Sequence, residues 1–306
     1  MSNKKLGIVW FRRDLRLNDN TAFNLSIKEC DEILPMFIFT PQQLEKTKNK
    51  YFSANSVQFM CESLEDLKQH ISLSTFYGSN KEIFEKLFNI LKPKYNSISV
   101  YVNKDYTPFS KKRDEEIHNM CSKNYIHWNS CEDLCMFPPK TITTTTNKIY
   151  EKFTPYYDKC ISNISKVRKV EMINDNVWHK KIMKQEIIDG IHKNISDKHQ
   201  ITILNIFLKF TNGNLNQNVI GGRRNGLQIL KNMKQWRMYA KKRNDLTYDT
   251  TMLSAYIKYG CVSIREVFWK IYKLFGKNSS LLRQLIWRDF YIQIVKDNYC
   301  IFHLPF

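Results

Sequence analysis

The chain has 306 residues, 42% of them hydrophobic and 25% charged, with a formal net charge of +19. That length suggests about two domains with large cores, and the balance excludes a disordered or fibrous chain. No apolar run reaches membrane-spanning length, the eight cysteines include no CxxC pair, and Cys131 and Cys135 have no partner pair of ligands, so a zinc site is not expected.

Short apolar runs at Leu6–Phe11, Ile33–Phe39 and Ile98–Val102 read as buried parallel strands. Between them Val57, Met60, Leu64, Leu67 and Ile71 recur at helical spacing, and further helices are expected at Lys81–Leu91 and Lys111–Met120. The alternation predicts an α/β, doubly wound parallel sheet over residues 1–132. Pro138-Pro139 and the Thr143–Thr146 run end that pattern, and 133–200 reads as a connector, polar and weakly patterned over Lys166–Asn194. From 201 to 306 the pattern is helical, with Leu227, Leu230, Met233 and Trp236 spaced as one helix face and Leu281, Leu282, Leu285 and Phe290 as another. No signal peptide precedes the first strand, so an intracellular protein with reduced thiols is expected.

The positive charge suits a polyanion partner, nucleic acid being the usual one. Abundant Lys, Asn and Ile, as in Lys46–Lys50 and Ile187–Asn194, would equally follow from AT-rich coding sequence. Trp10-Phe11-Arg12-Arg13-Asp14-Leu15-Arg16-Leu17-Asn18-Asp19-Asn20 follows the first strand, at the edge where open α/β sheets bind ligands. Its alternative reading, favoured by physics alone, is a loop whose arginines and acids pair with one another. It has no Gly-rich fingerprint, which disfavours an ordinary dinucleotide or P-loop site. Thr250-Thr251-Met252-Leu253-Ser254 could open a helix as an anion site or as a plain cap. Gln284, Trp287, Arg288 and Tyr291 share a helix face, which suits either a flipped base or a core helix with one buried Trp and a paired Arg.

The Trp10–Asn20 run resembles the amino-terminal W-F-R-x-D-L-R-x-x-D-N signature of the photolyase/cryptochrome family, with Trp10, Phe11, Arg12, Asp14, Leu15, Arg16, Asp19 and Asn20 at its fixed positions and Arg13 at an open one. Asn103-Lys104-Asp105 to Phe109, then Lys112-Arg113-Asp114, is similar to the family's loop and helix beside an antenna pocket. Phe153-Thr154-Pro155-Tyr156 resembles its F-T-P-[FY] segment, and Gly221-Gly222-Arg223 through Leu230 the opening of its helical domain. Thr250–Tyr256 with Tyr259-Gly260 resembles T-S-x-L-S-x-Y…G, Thr251 standing for Ser, and Gln284–Tyr291 resembles [EQ]-L-x-W-R-[ED]-F-[YF].

The resemblance implies an antenna-type α/β domain, a connector and an all-helical FAD-binding domain, incomplete here because family members continue for many more helices. It implies light-driven repair of UV pyrimidine dimers in DNA, with FAD as cofactor and a folate or deazaflavin antenna chromophore. By the same resemblance Tyr239, Thr250, Thr251, Leu253, Ser254, Gln284 and Arg288 would meet FAD, and Gln284 and Trp287 the lesion. A carboxylate is usual at position 284 in cyclobutane-dimer photolyases, and glutamine in six-four photolyases and many cryptochromes. The alternatives are a cryptochrome-like sensor or DNA-binding module without repair, and an inactive relic. A truncated chain is further expected to leave apolar faces of its last helices bare, and a separate C-terminal polypeptide could complete the flavin domain.

Overall fold

In the computed structural model, which describes residues 2–297, five parallel strands lie in the order β3-β2-β1-β4-β5. They are β1 (Ser2–Phe11), β2 (Glu32–Phe39), β3 (Ser74–Tyr77), β4 (Tyr95–Asn103) and β5 (His127–Cys131). Cys300 and the His303–Phe306 end lie outside the described residues. β1 is central, with Trp10 beside Met36 of β2 and Val9 beside Tyr101 of β4. The three expected strands are the three inner ones. The edge strands β3 and β5 escaped because one is four residues long and the other is half-exposed and polar.

Strand alternation sorts the core into two layers. Leu6, Ile8 and Trp10 point to one face, under Phe84, Leu87, Phe88 and Leu91 of helix Asn80–Leu91 and Ile117 and Cys121 of helix Pro108–Lys123. Burying each such Leu, Ile or Phe contributes about 1.5–3 kcal/mol. Val9 and Phe11 point to the other face, under helices Thr21–Glu29 and Ala54–Lys68. That second layer runs on without a break into the helical part, through Tyr256, Phe268 and Leu282.

Several expected helices shift. Ala54–Lys68 stops before Ile71, which is still buried. The third expected helix starts at Pro108, where Thr107 caps it by accepting from Ser110 N–H. The connector is more ordered than its composition suggests: helix Gln185–Asn194 buries Ile188 and Ile191 against the sheet's first layer. The helix expected through Leu227–Trp236 is broken. Arg223–Lys231 ends at Asn232, and tighter turns follow over Met233–Met238 with Trp236 at φ −92°, ψ 21°. The Trp236 indole donates to the Asp249 carbonyl at 2.9 Å, which fixes the break. Helices Leu253–Lys258, Ile264–Phe275 and Ser280–Asp297 complete the described chain.

The last helix is not bare. Leu281, Leu282, Leu285, Ile286 and Phe290 are all buried, contrary to the expectation of unpartnered apolar faces there. Exposed aliphatic residues lie elsewhere, among them Leu204, Leu208, Leu215, Ile220 and Leu246. No helix of the described residues is long and apolar enough to cross a membrane, and the seven described cysteines are free thiols.

Candidate functional site

The chain departs from β1 toward β2 and β3, then returns to the far side of β1 for β4 and β5. The loops after β1 and β4 therefore diverge, opening the crevice typical of such sheets at their carboxyl edge. Both signature segments sit there, as their place in the sequence predicts.

Inside the crevice the signature residues pair with one another, the reading that physics alone favoured. Arg12 donates to Asp114 and to the Asn103 carbonyl. Asp14 accepts from Arg12 N–H at 2.7 Å and from the Asn103 amide at 2.6 Å. Burial nevertheless pushes the Asp14 carboxyl above its ordinary range. The Asn20 side chain caps helix Thr21–Glu29 through Phe23 N–H and holds the Asp14 and Arg16 carbonyls. Arg16 reaches Asp133 at 2.6 Å and the Gly260 carbonyl at 3.2 Å.

The loop is thereby bolted to the helical part. Arg265, fully buried, donates to Asp19 Oδ2 at 2.8 Å, to the Asp19 carbonyl at 2.8 Å, to Asp133 Oδ1 at 2.7 Å and to the Asp133 carbonyl at 3.0 Å. Burial alone would raise the Asp133 carboxyl, but Arg16 and Arg265 outweigh it and hold the group far below the usual range. Gly260 sits at φ +66° with its Cα against the loop, where a Cβ would meet the Arg13 carbonyl oxygen at 2.4 Å. Arg265 and Asp133 carry no motif that marks them in the sequence; each merely adjoins another charge, Glu266 and Glu132 respectively.

Beside this network a cavity of about 700 Å³ opens, walled by Trp10, Tyr51, Phe109 and Tyr259 among others. The Arg12 and Arg113 guanidinium carbons lie 5.0 and 5.3 Å from the Trp10 ring centre. Burial, then the Arg12 charge, lowers Arg113 to about 10, and burial with Arg13 lowers Lys258. Arg13 ties the cavity to the helical part, donating to the Lys258 carbonyl and to Asp105, each at 3.1 Å. A second cavity, of about 690 Å³, lies between Lys68–Thr75 and Trp178–Asn205, away from every motif residue.

Helix Ser280–Asp297 turns its apolar face inward and leaves Gln284, Trp287 and Arg288 half-buried and Tyr291 exposed. Trp287 stacks face to face on Phe153, with centroids 3.5 Å apart and planes 5° apart, and lies offset under Tyr291 at 5.4 Å. Arg288 Nη1 donates to the Leu134 carbonyl at 2.9 Å and to Asp289 at 3.1 Å. Asp289, fully buried, accepts from Met136 and Phe137 N–H, and burial lifts its carboxyl to about 6.

The third group forms a separate turn. Tyr239 opens the turn Tyr239–Lys242, which packs against Ser280–Asp297. Met252 is in the left-handed region at φ 51°, and the six-residue helix Leu253–Lys258 starts after it with Thr251 Oγ1 accepting from Leu253 N–H at 3.4 Å. Thr250 and Thr251 are half-buried and Ser254 is exposed. Among the described residues no hydrogen bond joins Thr250–Ser254 to Gln284 or Arg288.

The DNA photolyase family model matches residues 7–172. A deoxyribodipyrimidine photo-lyase of Buchnera aphidicola is 22% identical over 94% of the chain, which spans 59% of that relative's length. An archaeal photolyase structure from Sulfolobus tokodaii, described with two FAD molecules, aligns at 29% identity and TM-score 0.75 over 97% of this chain and 61% of its own. A Synechocystis cryptochrome structure, 15% identical, shares the fold at TM-score 0.79 over 97% of this chain and 62% of its own. The signature network and a family model that covers more than half of the sequence agree: the chain belongs to the DNA photolyase family.

Proposed function

We propose that the chain acts in light-driven repair of UV pyrimidine dimers in DNA, supplying an antenna-chromophore cavity, the phosphate side of an FAD site and a lesion-reading helix. The supporting observation is the outer face of Ser280–Asp297. The core is filled by Leu282, Leu285, Ile286 and Phe290, with Trp287 packed on its rim through Phe153 and still half-buried, so Gln284, Tyr291 and the uncovered part of Trp287 remain for contacts outside it. An indole offers a stacking plate for a flipped base and an amide offers both a donor and an acceptor to its edge. Phe153 holds one face of Trp287 and is itself held by Arg283, whose guanidinium carbon lies 5.1 Å from the Phe153 ring centre. A base would meet the part of the half-buried Trp287 that neither Phe153 nor Tyr291 covers.

The residues of the third turn fit a diphosphate. Thr251 accepts from Leu253 N–H, which leaves its own O–H to donate, and the Ser254 hydroxyl faces solvent. FAD, when bound, supplies the photoexcited electron donor. Arg288 positions its helix through Leu134 and Asp289, with its outer nitrogens left for the cofactor. The neutral Gln284 favours a second reading, a cryptochrome-like light sensor, since a carboxylate is usual there in cyclobutane-dimer enzymes.

The test illuminates the protein in excess FAD with a duplex carrying one cyclobutane dimer or one six-four product. Loss of a lesion with the wild type and not with Trp287→Ala supports repair. Bound flavin with both lesions intact favours the sensor, and no flavin binding at all would overturn both readings.

A further inference from the structure

Two glycines follow an asparagine in this chain, Gly213 after Asn212 and Gly226 after Asn225. Such a pair is chemically labile, because glycine has no Cβ to shield its nitrogen from the asparagine side chain. The fold sets the two copies in opposite surroundings.

Asn212 is exposed in the irregular segment between helices Ile203–Phe210 and Arg223–Lys231. Among the described residues no hydrogen bond holds its side chain. Gly213 is at φ +57°, and a Cβ there would meet only the edge of the Phe207 ring, at 4.0 Å. The Gly213 N–H donates to the Thr211 hydroxyl at 3.3 Å, a long contact within the same loop. Asn225 lies inside Arg223–Lys231 instead. Its side-chain nitrogen donates to the Gly221 carbonyl at 2.8 Å, and the Gly226 N–H donates to the Gly222 carbonyl at 3.3 Å. Gly226 is buried, and a Cβ there would strike Val262 at 2.8 Å and Tyr256 at 3.1 Å. The Asn225–Gly226 peptide can rotate only after the helix has opened.

We infer that Asn212 is a site of spontaneous deamidation with water as the co-reactant, and that the fold protects Asn225. The Gly213 nitrogen loses its proton and attacks Asn212 Cγ. A C–N bond forms and closes an imide ring, while the Cγ–Nδ2 bond breaks and the side-chain nitrogen leaves with that proton as ammonia. Water then cleaves one of the two imide C–N bonds, with no change of oxidation state. Cleavage at Cγ leaves aspartate, and cleavage at the main-chain carbonyl leaves isoaspartate, whose backbone runs through the side chain and is one methylene longer. The change falls beside a seam. The Asn214 N–H donates to Gln58 Oε1 at 2.9 Å and the Asn214 carbonyl accepts from Gln58 Nε2 at 3.0 Å, which ties this loop to helix Ala54–Lys68. Isoaspartate at 212 shifts Asn214 off Gln58.

The test incubates the full chain at mildly alkaline pH and follows the peptides that contain 212 and 225, by mass and by chromatographic separation of aspartate from isoaspartate. Asn212 is expected to convert about tenfold or more faster than Asn225, because reaction at Asn225 first gives up the hydrogen bonds of its helix turn. In denaturant the two should convert at equal rates. Aged wild type should melt at a lower temperature than fresh protein, whereas Asn212→Ser should melt alike before and after ageing. Equal rates at the two asparagines in the folded chain, or an Asn212 that stays intact while the unfolded chain converts, overturns the inference. Isoaspartate at 212 with an unchanged thermal midpoint overturns its effect on the seam.

Discussion

Removing Arg265 should cost more than removing any other single charge in the signature network. Its guanidinium makes four hydrogen bonds, of 2.7–3.0 Å, to Asp19 and Asp133. Arg265→Ala leaves both carboxylates in place, 3% and 5% exposed, with Asp19 keeping Ser263 and Asp133 keeping Arg16 and Thr21. Breaking a buried pair by deleting one partner costs about 3–5 kcal/mol. Water entering the polar hole offsets part of the void, so about 3 kcal/mol is the expected loss. Against a total stability of about 5–15 kcal/mol, that is about a fifth to three-fifths. Urea unfolding followed by tryptophan fluorescence and by circular dichroism measures it, and the two probes should coincide in the wild type because the second core layer runs from sheet to helices. Acid unfolding gives an independent check. A depressed folded pKa contributes stability that is present above the unfolded value of about 3.9 and is lost as pH falls toward the folded value. Without Arg265 the Asp133 carboxyl rises, so the variant should unfold at higher pH than the wild type. A loss below about 1 kcal/mol with an unchanged acid midpoint would refute the reasoning.

Gly260→Ala should destabilise by about 3 kcal/mol or more, read as a lowered thermal midpoint, since its Cβ would strike the backbone of Arg13 and Asp14 at 2.4–2.5 Å from a left-handed conformation. Trp287→Ala should lower the preference for damaged over undamaged duplex while leaving the salt slope of binding unchanged, because the indole neutralises no phosphate; a changed slope with an unchanged preference would remove Trp287 from the lesion contact. Asp289 has a folded pKa raised to about 6, so its contribution is full below the unfolded value of about 3.9 and is lost as pH rises through 6. Asp289→Asn, whose amide oxygen can still accept from Met136 and Phe137 N–H, should flatten the stability profile between pH 4 and 7; an unaltered profile in chemical denaturation would contradict the assignment.

What the amino-acid order settled by itself was the part carried by local pattern. β1, β2 and β4 are buried on both faces, so they read as apolar runs, and the stripe Ile83, Phe84, Leu87, Phe88 and Leu91 reads as a helix for the same reason. The signature's place after β1 located the crevice, because a parallel strand must end at the ligand edge of its sheet. Tertiary structure alone decided what the charges there do. Whether Arg12, Arg16 and Asp19 pair or bind depends on Asp114, Asp133 and Arg265, which lie about 100 to 250 residues away and of which only Asp114 falls in a motif. Only the fold shows that those partners consume the signature's charge, and that Arg113, a three-dimensional neighbour of the same loop, shares Asp114 with Arg12. Hydrophobic periodicity is a property of neighbours in sequence, and it survives in one dimension. Charge compensation is a sum over neighbours in space, so it can be evaluated only once the chain is folded.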